Sequence, residues 1–306
     1  MKTPTPLSEF ASNTYSQSGE DGILQELFRR LHAEEQEEQE ERWCVEFGAW
    51  DGEYLSNTCN LIRHHGWNAV LIEGDPDRAD QLRSNFSSES VTAMCAFVGL
   101  TRPTRLEDLL AESPCPSSPD FLSIDIDGCD IHILNSLERF TPKVICIEYN
   151  GAIPNEVEYT QPADFAVKQG SGAKSILGVA NDKGYDLVAV TATNLLFVRQ
   201  DLTELVLGTD RPSLEDLRDD SSSRCFIFSG YDGSLITSKP VRLPWHLIDV
   251  DPKALQVLPR PLRRFSNDYN PAQKLTFVAY LFLKNPQALR GWWSRRKRFR
   301  LRRRTA

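Results

Sequence analysis

Two carboxylates stand where an apolar run of the sequence gives way to a glycine turn. Glu46 closes the first such run and is followed by Gly48 and Gly52, and Glu73 follows the next run, residues 69–72. Because glycine lacks a Cβ, the backbone at these two positions can turn sharply and lie against a ligand. Open α/β sheets hold an adenosine in this way, with a glycine turn after one strand and, after the next, an acid that binds the ribose hydroxyls.

The charge of the first turn indicates which nucleoside ligand it accepts. A dinucleotide site has the pattern G-x-G-x-x-G and places a pyrophosphate on a helix N-terminus, whereas residues 46–52 read Glu-x-Gly-x-x-Asp-Gly. Carboxylates at both ends would repel two phosphates but not a cationic aminoacyl sulfonium. The ligand inferred is S-adenosylmethionine, with Glu46 and Gly48 facing the methionine moiety and Glu73 the ribose. Asp51 is assigned to the same site, although Asp51 and Asp75 are each also suited to capping a helix.

A further group of acids follows the fourth predicted strand, at Asp125, Asp127 and Asp130. Such a group is costly unless it is solvated, protonated or balanced by a cation. An EF-hand is excluded because the segment lacks the Glu that closes such a loop and leads into an apolar helix. Two interpretations stay open: a general base for a substrate hydroxyl, or Mg²⁺ ligands shared with Glu148 and Asn150 at the adjacent strand end. Asp130 is more simply the first-turn acid of the next helix.

The elements that position these residues alternate along the chain. Short apolar runs separated by helical patterns predict βαβ units and a parallel sheet, whose ligands bind beyond the carboxyl ends of the strands. The fold class is therefore α/β, a doubly wound, mostly parallel seven-stranded sheet with a C-terminal extension. The predicted strands are 43–47, 69–73, about 91–98, 121–124, 144–148, 185–190 and 194–198, the last two antiparallel; the predicted helices are 23–32, one from near Ser56, 76–86, 105–111, 130–138, 173–183 and 271–284.

Four segments are predicted along the chain. Residues 1–42 form an N-terminal segment and helix that cap the site, and residues 43–200 form the nucleoside-binding core. Residues 201–290 are an extension interrupted by prolines, and residues 291–306 are a basic tail. His246 lies in the extension beside a tryptophan, where it either reaches the active site as a catalytic residue or packs.

The composition is that of a globular protein. Hydrophobic residues make up 40% and charged residues 25% of 306 residues, and the net charge of −8 conceals an acidic run at 34–41 and a basic run at 295–304. The basic run is suited to an anionic lipid surface or a nucleic acid, or is a solvated end. Neither a transmembrane stretch nor a signal peptide is predicted. Seven scattered cysteines without metal-type spacing favour a reducing cytoplasm.

Four segments in this order, residues 15–22, 45–52, 72–76 and 124–128, resemble the FkbM-like S-adenosylmethionine-dependent methyltransferases. The resemblance covers roughly residues 13–200. It implies a Rossmann-like class I methyltransferase that acts on an oxygen of a sugar, a polyketide or another natural product. It also implies a divalent cation near Asp125, Glu148 and Asn150.

The resulting hypothesis is O-methylation of a small-molecule acceptor. Gln17, Glu20 and Asp21 of the N-terminal segment are predicted to close over the cofactor or substrate, and Asp125 or Asp127 to take the hydroxyl proton, directly or through Mg²⁺. One alternative is a non-catalytic Rossmann-like module tethered by the basic tail to a membrane or nucleic acid. Another is an enzyme that uses the same cofactor for other chemistry. A homo-oligomer is left open.

Overall fold

The computed structural model describes residues 4–33, 41–87 and 90–287. The chain divides into two compact units, Met1–Arg224 and Cys225–Ala306. Residues 34–40 of the acidic run and the whole basic tail lie outside the described residues, and the contacts predicted for the tail stay predictions. The division into four segments stays a prediction.

The first unit contains the predicted seven-stranded sheet. Its strands are β1 (Trp43–Phe47), β2 (Asn68–Glu73), β3 (Val91–Cys95), β4 (Phe121–Ile124), β5 (Val144–Glu148), β6 (Tyr185–Val190) and β7 (Asn194–Arg199). Their order is β3-β2-β1-β4-β5-β7-β6. All neighbouring pairs up to β5 are parallel, and β7 is antiparallel to both β5 and β6. The predicted fold class is therefore confirmed, and β1, β4, β5 and β6 have the predicted bounds.

Helices cover both faces of this sheet. They are α1 (Glu20–Leu31), α2 (Cys59–His65), α3 (Pro76–Asn85), α4 (Leu106–Leu110), α5 (Asp130–Ser136), α6 (Ala173–Asp182), α7 (Thr203–Leu207) and α8 (Leu214–Leu217). One apolar cluster joins α1, α2, α3 and α7 to alternate strand residues, and a second joins α4, α5, α6 and α8 to the intervening ones. The strands are buried on both faces, which explains why they read as continuous apolar runs.

In its described residues, 225–287, the second unit contains two short hairpins, three 3-10 helical turns and one longer helix. The hairpins are β8 (Ile227–Ser229) with β9 (Leu235–Thr237) and β10 (Arg242–Leu243) with β11 (Ile248–Asp249), and the helix is α9 (Pro271–Lys284), as predicted. Across the described ranges of both units, no helix is long and apolar enough to cross a membrane. All seven cysteines are free; the cytoplasmic location stays a prediction.

Candidate active site

Glu46, near the end of β1, is bonded to the chain that enters α2. One carboxylate oxygen accepts hydrogen bonds from the hydroxyls of Ser56 and Thr58, each at 2.6 Å, and the other accepts the backbone N–H of Asn57 at 2.9 Å. Burial raises the pKa of Glu46. α2 begins at Cys59, three residues after the start predicted near Ser56, and the Ser56 hydroxyl accepts the N–H groups of Thr58 and Cys59 where the chain enters this helix. The predicted contact of Glu46 with the methionine moiety stays a prediction.

The two glycines after β1 allow close approach of the chain to itself. Gly48 has φ +73°, and a Cβ placed there would lie 1.9 Å from the carbonyl oxygen of Asp125 at the end of β4. Gly52 has φ +81°, and its Cβ would lie 2.5 Å from side-chain atoms of Leu82 and Phe86. Gly48 therefore sets the spacing between the loop after β1 and the residues that follow β4.

Glu73 links the loop after β1 to the turn after β2. Its two carboxylate oxygens accept the backbone N–H groups of Trp50 and Asp75, each at 2.8 Å. Asp75 is the N-cap of α3, one of the two roles the sequence left open for it, and the guanidinium of Arg78 in that helix lies 3.2 Å from the Trp50 ring centroid. Asp51 closes its own turn by accepting the N–H groups of residues 53 and 54. Glu73 thus lies, buried, between the two loops predicted to hold the nucleoside.

The N-terminal segment is hydrogen-bonded to the turn between β6 and β7. Glu20 is fully buried and accepts the Thr191 hydroxyl at 2.6 Å, while the Gln17 amide donates to the Thr193 hydroxyl at 3.2 Å. One oxygen of Asp21 accepts three consecutive backbone N–H groups, from residues 14–16, and the other is buried without a hydrogen-bond partner. These contacts position the segment. The roles predicted for the three residues at the cofactor stay predictions.

Three carboxylates meet at the ends of β4 and β5. Their ligand oxygens all lie within 4.8 Å of one another, and we call Asp125, Asp130 and Glu148 the acidic cluster. Burial, reinforced by the neighbouring negative charges, raises the pKa of Asp125 to about 7 and that of Glu148 to about 9. Burial likewise raises the pKa of Asp130 to about 6.

Asp130 joins the cluster because the turn before α5 folds around it. Its two oxygens accept the backbone N–H groups of Ile126, at 2.9 Å, and Gly128, at 2.8 Å. Asp127, in the same turn, has φ +58° and is exposed. Asn150 uses its amide to accept from Ala152 N–H and to donate to the carbonyl of Gln169. The sequence predicted Asp130 only as a first-turn acid, so its place beside Asp125 and Glu148 is a finding of the structure.

The acidic cluster fits a hard divalent cation. Mg²⁺ and related ions bind carboxylate oxygens, and three are gathered here in a largely buried place. The charged groups that most strongly affect the pKa values of Asp125 and Glu148 are all carboxylates, including Asp127. A cation would balance this uncompensated charge, which otherwise favours protonation.

The loop between β5 and α6 is organised by Gln161, a residue that the sequence analysis missed. Its side-chain oxygen accepts the N–H groups of residues 169 and 170, and the His132 ring nitrogen lies 2.8 Å from its backbone carbonyl. A Cβ on Gly128 would lie 2.9 Å from the Gln161 amide nitrogen. The buried amide therefore packs this loop against the turn that carries Asp130. No motif marks it, because its partners are backbone groups of an irregular loop.

His246 belongs to the second unit. It is exposed and ends a short 3-10 turn, Pro244–His246, at the tip of the hairpin of β10 and β11. Its catalytic role stays a prediction.

Comparison with known proteins bears on the segment that contains the acidic cluster. Residues 101–187 match the family model described as the methyltransferase FkbM domain, so the resemblance drawn from the sequence is confirmed over these residues. No curated protein sequence matches the chain significantly.

Several solved structures with similar folds are described as methyltransferases or as complexes with this cofactor or its product, and three of them are compared below. The citrinin polyketide synthase CMeT domain is 11% identical over 61% of this chain and 54% of its own, with a TM-score of 0.39. LepI in complex with SAM is 14% identical; the match covers 65% of this chain and 49% of LepI, with a TM-score of 0.38. The mitomycin 7-O-methyltransferase MmcR is 11% identical; the match covers 58% of this chain and 54% of MmcR, with a TM-score of 0.33. The chain spans about half the length of these proteins, and a likeness at this level carries no conclusion about ligand or reaction.

Proposed function

We propose that this chain is an S-adenosylmethionine-dependent methyltransferase that methylates a hydroxyl oxygen of a small molecule, such as a sugar or another natural product. The observation that carries the proposal is the acidic cluster, which lies within the segment that matches the FkbM domain. It stands at the carboxyl ends of two parallel strands, where open α/β sheets bind ligands. A non-catalytic scaffold has no need to gather three carboxylates, one buried and two partly buried, because their mutual repulsion opposes folding.

The cofactor is assigned to the loops after β1 and β2. Glu73 accepts the ribose hydroxyls, and the turn from Glu46 to Gly52, with Gly48 and Asp51, borders the methionine moiety. In support, Glu73 is the carboxylate that joins these two loops. Its bonds to backbone N–H groups keep its oxygens in place before a ligand arrives. The segment of Gln17, Glu20 and Asp21 lies over the cofactor in this proposal.

The acidic cluster is the place for a divalent cation such as Mg²⁺. Asp125, Asp130 and Glu148 would hold it, with Asn150 as the further ligand predicted from the sequence. When bound, such an ion lowers the pKa of a hydroxyl that it contacts and so favours the alkoxide.

The methyl carbon moves from the sulfonium sulfur to the acceptor oxygen in line. A new C–O bond forms, and the electron pair of the broken C–S bond stays on sulfur. Asp125 or Asp127 receives the hydroxyl proton, and His246 is a further candidate for this step. Holding acceptor and methyl group in near-attack geometry is the main contribution of the chain. The loop that Gln161 organises keeps the turn with Asp130 in the conformation this geometry requires.

The test is calorimetric titration of the protein with S-adenosylmethionine and S-adenosylhomocysteine, in Mg²⁺ and again in EDTA. It is followed by transfer of a labelled methyl group to a panel of sugars and phenolic or polyketide alcohols. We expect micromolar binding of both nucleosides and label recovered in an ether linkage. Absence of binding in both buffers would overturn the proposal. Cofactor turnover without labelled product would support an enzyme with chemistry other than methyl transfer.

A further inference from the structure

Charge is divided unevenly between the two units of the chain. Residues 225–306 contain 17 Lys and Arg against 4 Asp, a formal charge of +13, whereas residues 1–224 contain 18 Lys and Arg against 39 Asp and Glu, a formal charge of −21. Nine of the basic residues of the second unit fall in 288–306, and eight belong to its described part. A strongly basic unit on an otherwise acidic protein attracts an anionic partner.

The hairpin of β10 and β11 presents large apolar side chains at its tip. Trp245 is 73% exposed and Leu247 is 72% exposed, and Ile248 beside them is also exposed. Leu247 adopts φ +53°, a left-handed backbone that is costly for a residue with a bulky side chain. Folding of the unit gives no reason for exposing these groups on a strained turn.

Helix α9 has two apolar faces, and only one of them packs within the unit. Phe277 stacks edge-to-face on Tyr269 with ring centroids 5.5 Å apart. On the opposite face Leu275, Phe282 and Leu283 are 73%, 67% and 78% exposed. Their spacing, i, i+7 and i+8, is that of a single stripe along a helix. Among the residues that the structure describes, α9 therefore carries a second apolar stripe that is largely exposed.

We propose that the second unit docks on an anionic lipid bilayer. Two sets of apolar side chains, together called the apolar surface, enter the interfacial region: Trp245, Leu247 and Ile248 of the hairpin tip, and Leu275, Phe282 and Leu283 of α9. The eight basic residues in the described part of the unit lie against the headgroups. Large apolar groups combined with excess Lys and Arg are the properties of segments that lie in a membrane interface.

The aliphatic character of this surface favours lipid over nucleic acid. Single-stranded nucleic acids are bound by stacking on aromatic rings beside a basic groove, and leucine or isoleucine gains little from such contacts. In hydrocarbon, by contrast, each of these side chains is stabilised by removal from water. The inference concerns where the protein resides and does not depend on the reaction proposed for the first unit.

The test is flotation of the full chain with vesicles of phosphatidylcholine, alone or with about one third phosphatidylglycerol. We expect binding only to the anionic vesicles and weakening by salt. The double variants Trp245→Ser/Leu247→Ser and Leu275→Ser/Leu283→Ser should each lose on the order of tenfold or more in partitioning. The matched control is Leu205→Ser, at an exposed leucine of α7 in the first unit, which should float like the unchanged protein. Thermal melts of every variant establish that it is folded.

Any of four results would overturn the proposal. The first is failure to float with either vesicle. The second is full retention of binding by both double variants, which would assign the binding to the basic tail alone. The third is an oligomer, seen by light scattering, that the double variants dissociate while vesicle binding is absent, because the surface would then hold a second copy of the chain. Tight binding of duplex or single-stranded DNA without vesicle binding would likewise favour a nucleic-acid partner.

Discussion

The carboxyl groups of Asp125 and Glu148 lie side by side at the ends of two adjacent parallel strands, with an oxygen of each within 4.8 Å of the other. The strand register brings them together: Ile124 of β4 is paired with Ile147 of β5, so the next residue of each strand faces the other. Two partly buried carboxyls this close are favoured to hold a proton between them or to bind a cation in its place. We therefore expect the stability of the first unit to depend on both pH and divalent cations.

Substitution of Glu148 separates these two effects. Its carboxyl ionises near pH 4.5 when unfolded and near pH 9 when folded, so folding retains a proton that the unfolded chain releases between these values. A raised acid pKa therefore costs stability increasingly as pH rises from about 4.5. In EDTA, Glu148→Gln should raise the free energy of unfolding by about 1–3 kcal/mol at pH 7 and by little at pH 4.

Added Mg²⁺ or Mn²⁺ should make the unchanged protein more stable than Glu148→Gln, the reverse of their order in EDTA. Cations that bind only the folded state stabilise it by mass action, so the melting temperature of the unchanged protein should rise and that of Glu148→Gln should not. Asp182→Asn, at an exposed carboxylate at the end of α6, is the control and should respond like the unchanged protein. If the melting temperatures of the unchanged protein and both variants rise equally, the acidic cluster is not the metal site.

Glu73 and Asp125 are expected to affect different steps. Glu73→Gln removes the charge that accepts the ribose hydroxyls, and loss of a hydrogen bond to a charged group weakens binding by roughly ten- to a hundredfold. Asp125→Asn should leave S-adenosylmethionine affinity within about threefold of the unchanged protein, and reduce turnover by on the order of a hundredfold or more. Calorimetry and labelled methyl transfer give the two quantities. Normal turnover by Asp125→Asn would exclude this carboxylate as the base.

Gly48 offers a test of how the loop after β1 is fitted to the end of β4. In Gly48→Ala the new Cβ would meet the Asp125 carbonyl oxygen at 1.9 Å, so the two segments must separate. We expect a loss of about 2–4 kcal/mol in the free energy of unfolding, together with loss of turnover. Gly66→Ala is the matched control, because Gly66 has a similar φ of +68° but nothing within 4 Å of its Cβ. That variant should lose only about 1 kcal/mol and remain active; equal losses in the two variants would contradict the steric argument.

The sheet could be predicted from the sequence because its strands are buried on both faces. Runs such as 121–124 and 144–148 are apolar throughout and end at polar residues, so their bounds were apparent. The position of Asp125 and Glu148 at one edge followed from the parallel topology alone.

The contacts of the site residues could not be predicted in this way. Glu46 is surrounded by donors from residues 56–58, which belong to a turn with no periodic pattern. Asp130 reaches the acidic cluster because backbone N–H groups of its own turn hold its carboxylate. The residues at the strand ends can therefore be predicted from the sequence. The loop conformations that orient their side chains cannot.

The last prediction concerns Gln161, which is proposed to position the turn that carries Asp130. In Gln161→Met the side chain keeps a similar volume but no longer accepts from the N–H groups of residues 169 and 170. Leaving these part-buried donors unpaired costs on the order of 1 kcal/mol, and the loop should loosen from the turn that carries Asp130. We expect weaker Mg²⁺ binding and a lower kcat, with S-adenosylmethionine affinity unchanged, since Glu73 lies on other loops. Gln200→Met, at an exposed glutamine bonded to Asp186, should change none of these quantities. If thermal stability falls while metal binding and kcat stay unchanged, Gln161 stabilises the loop but does not position the acidic cluster.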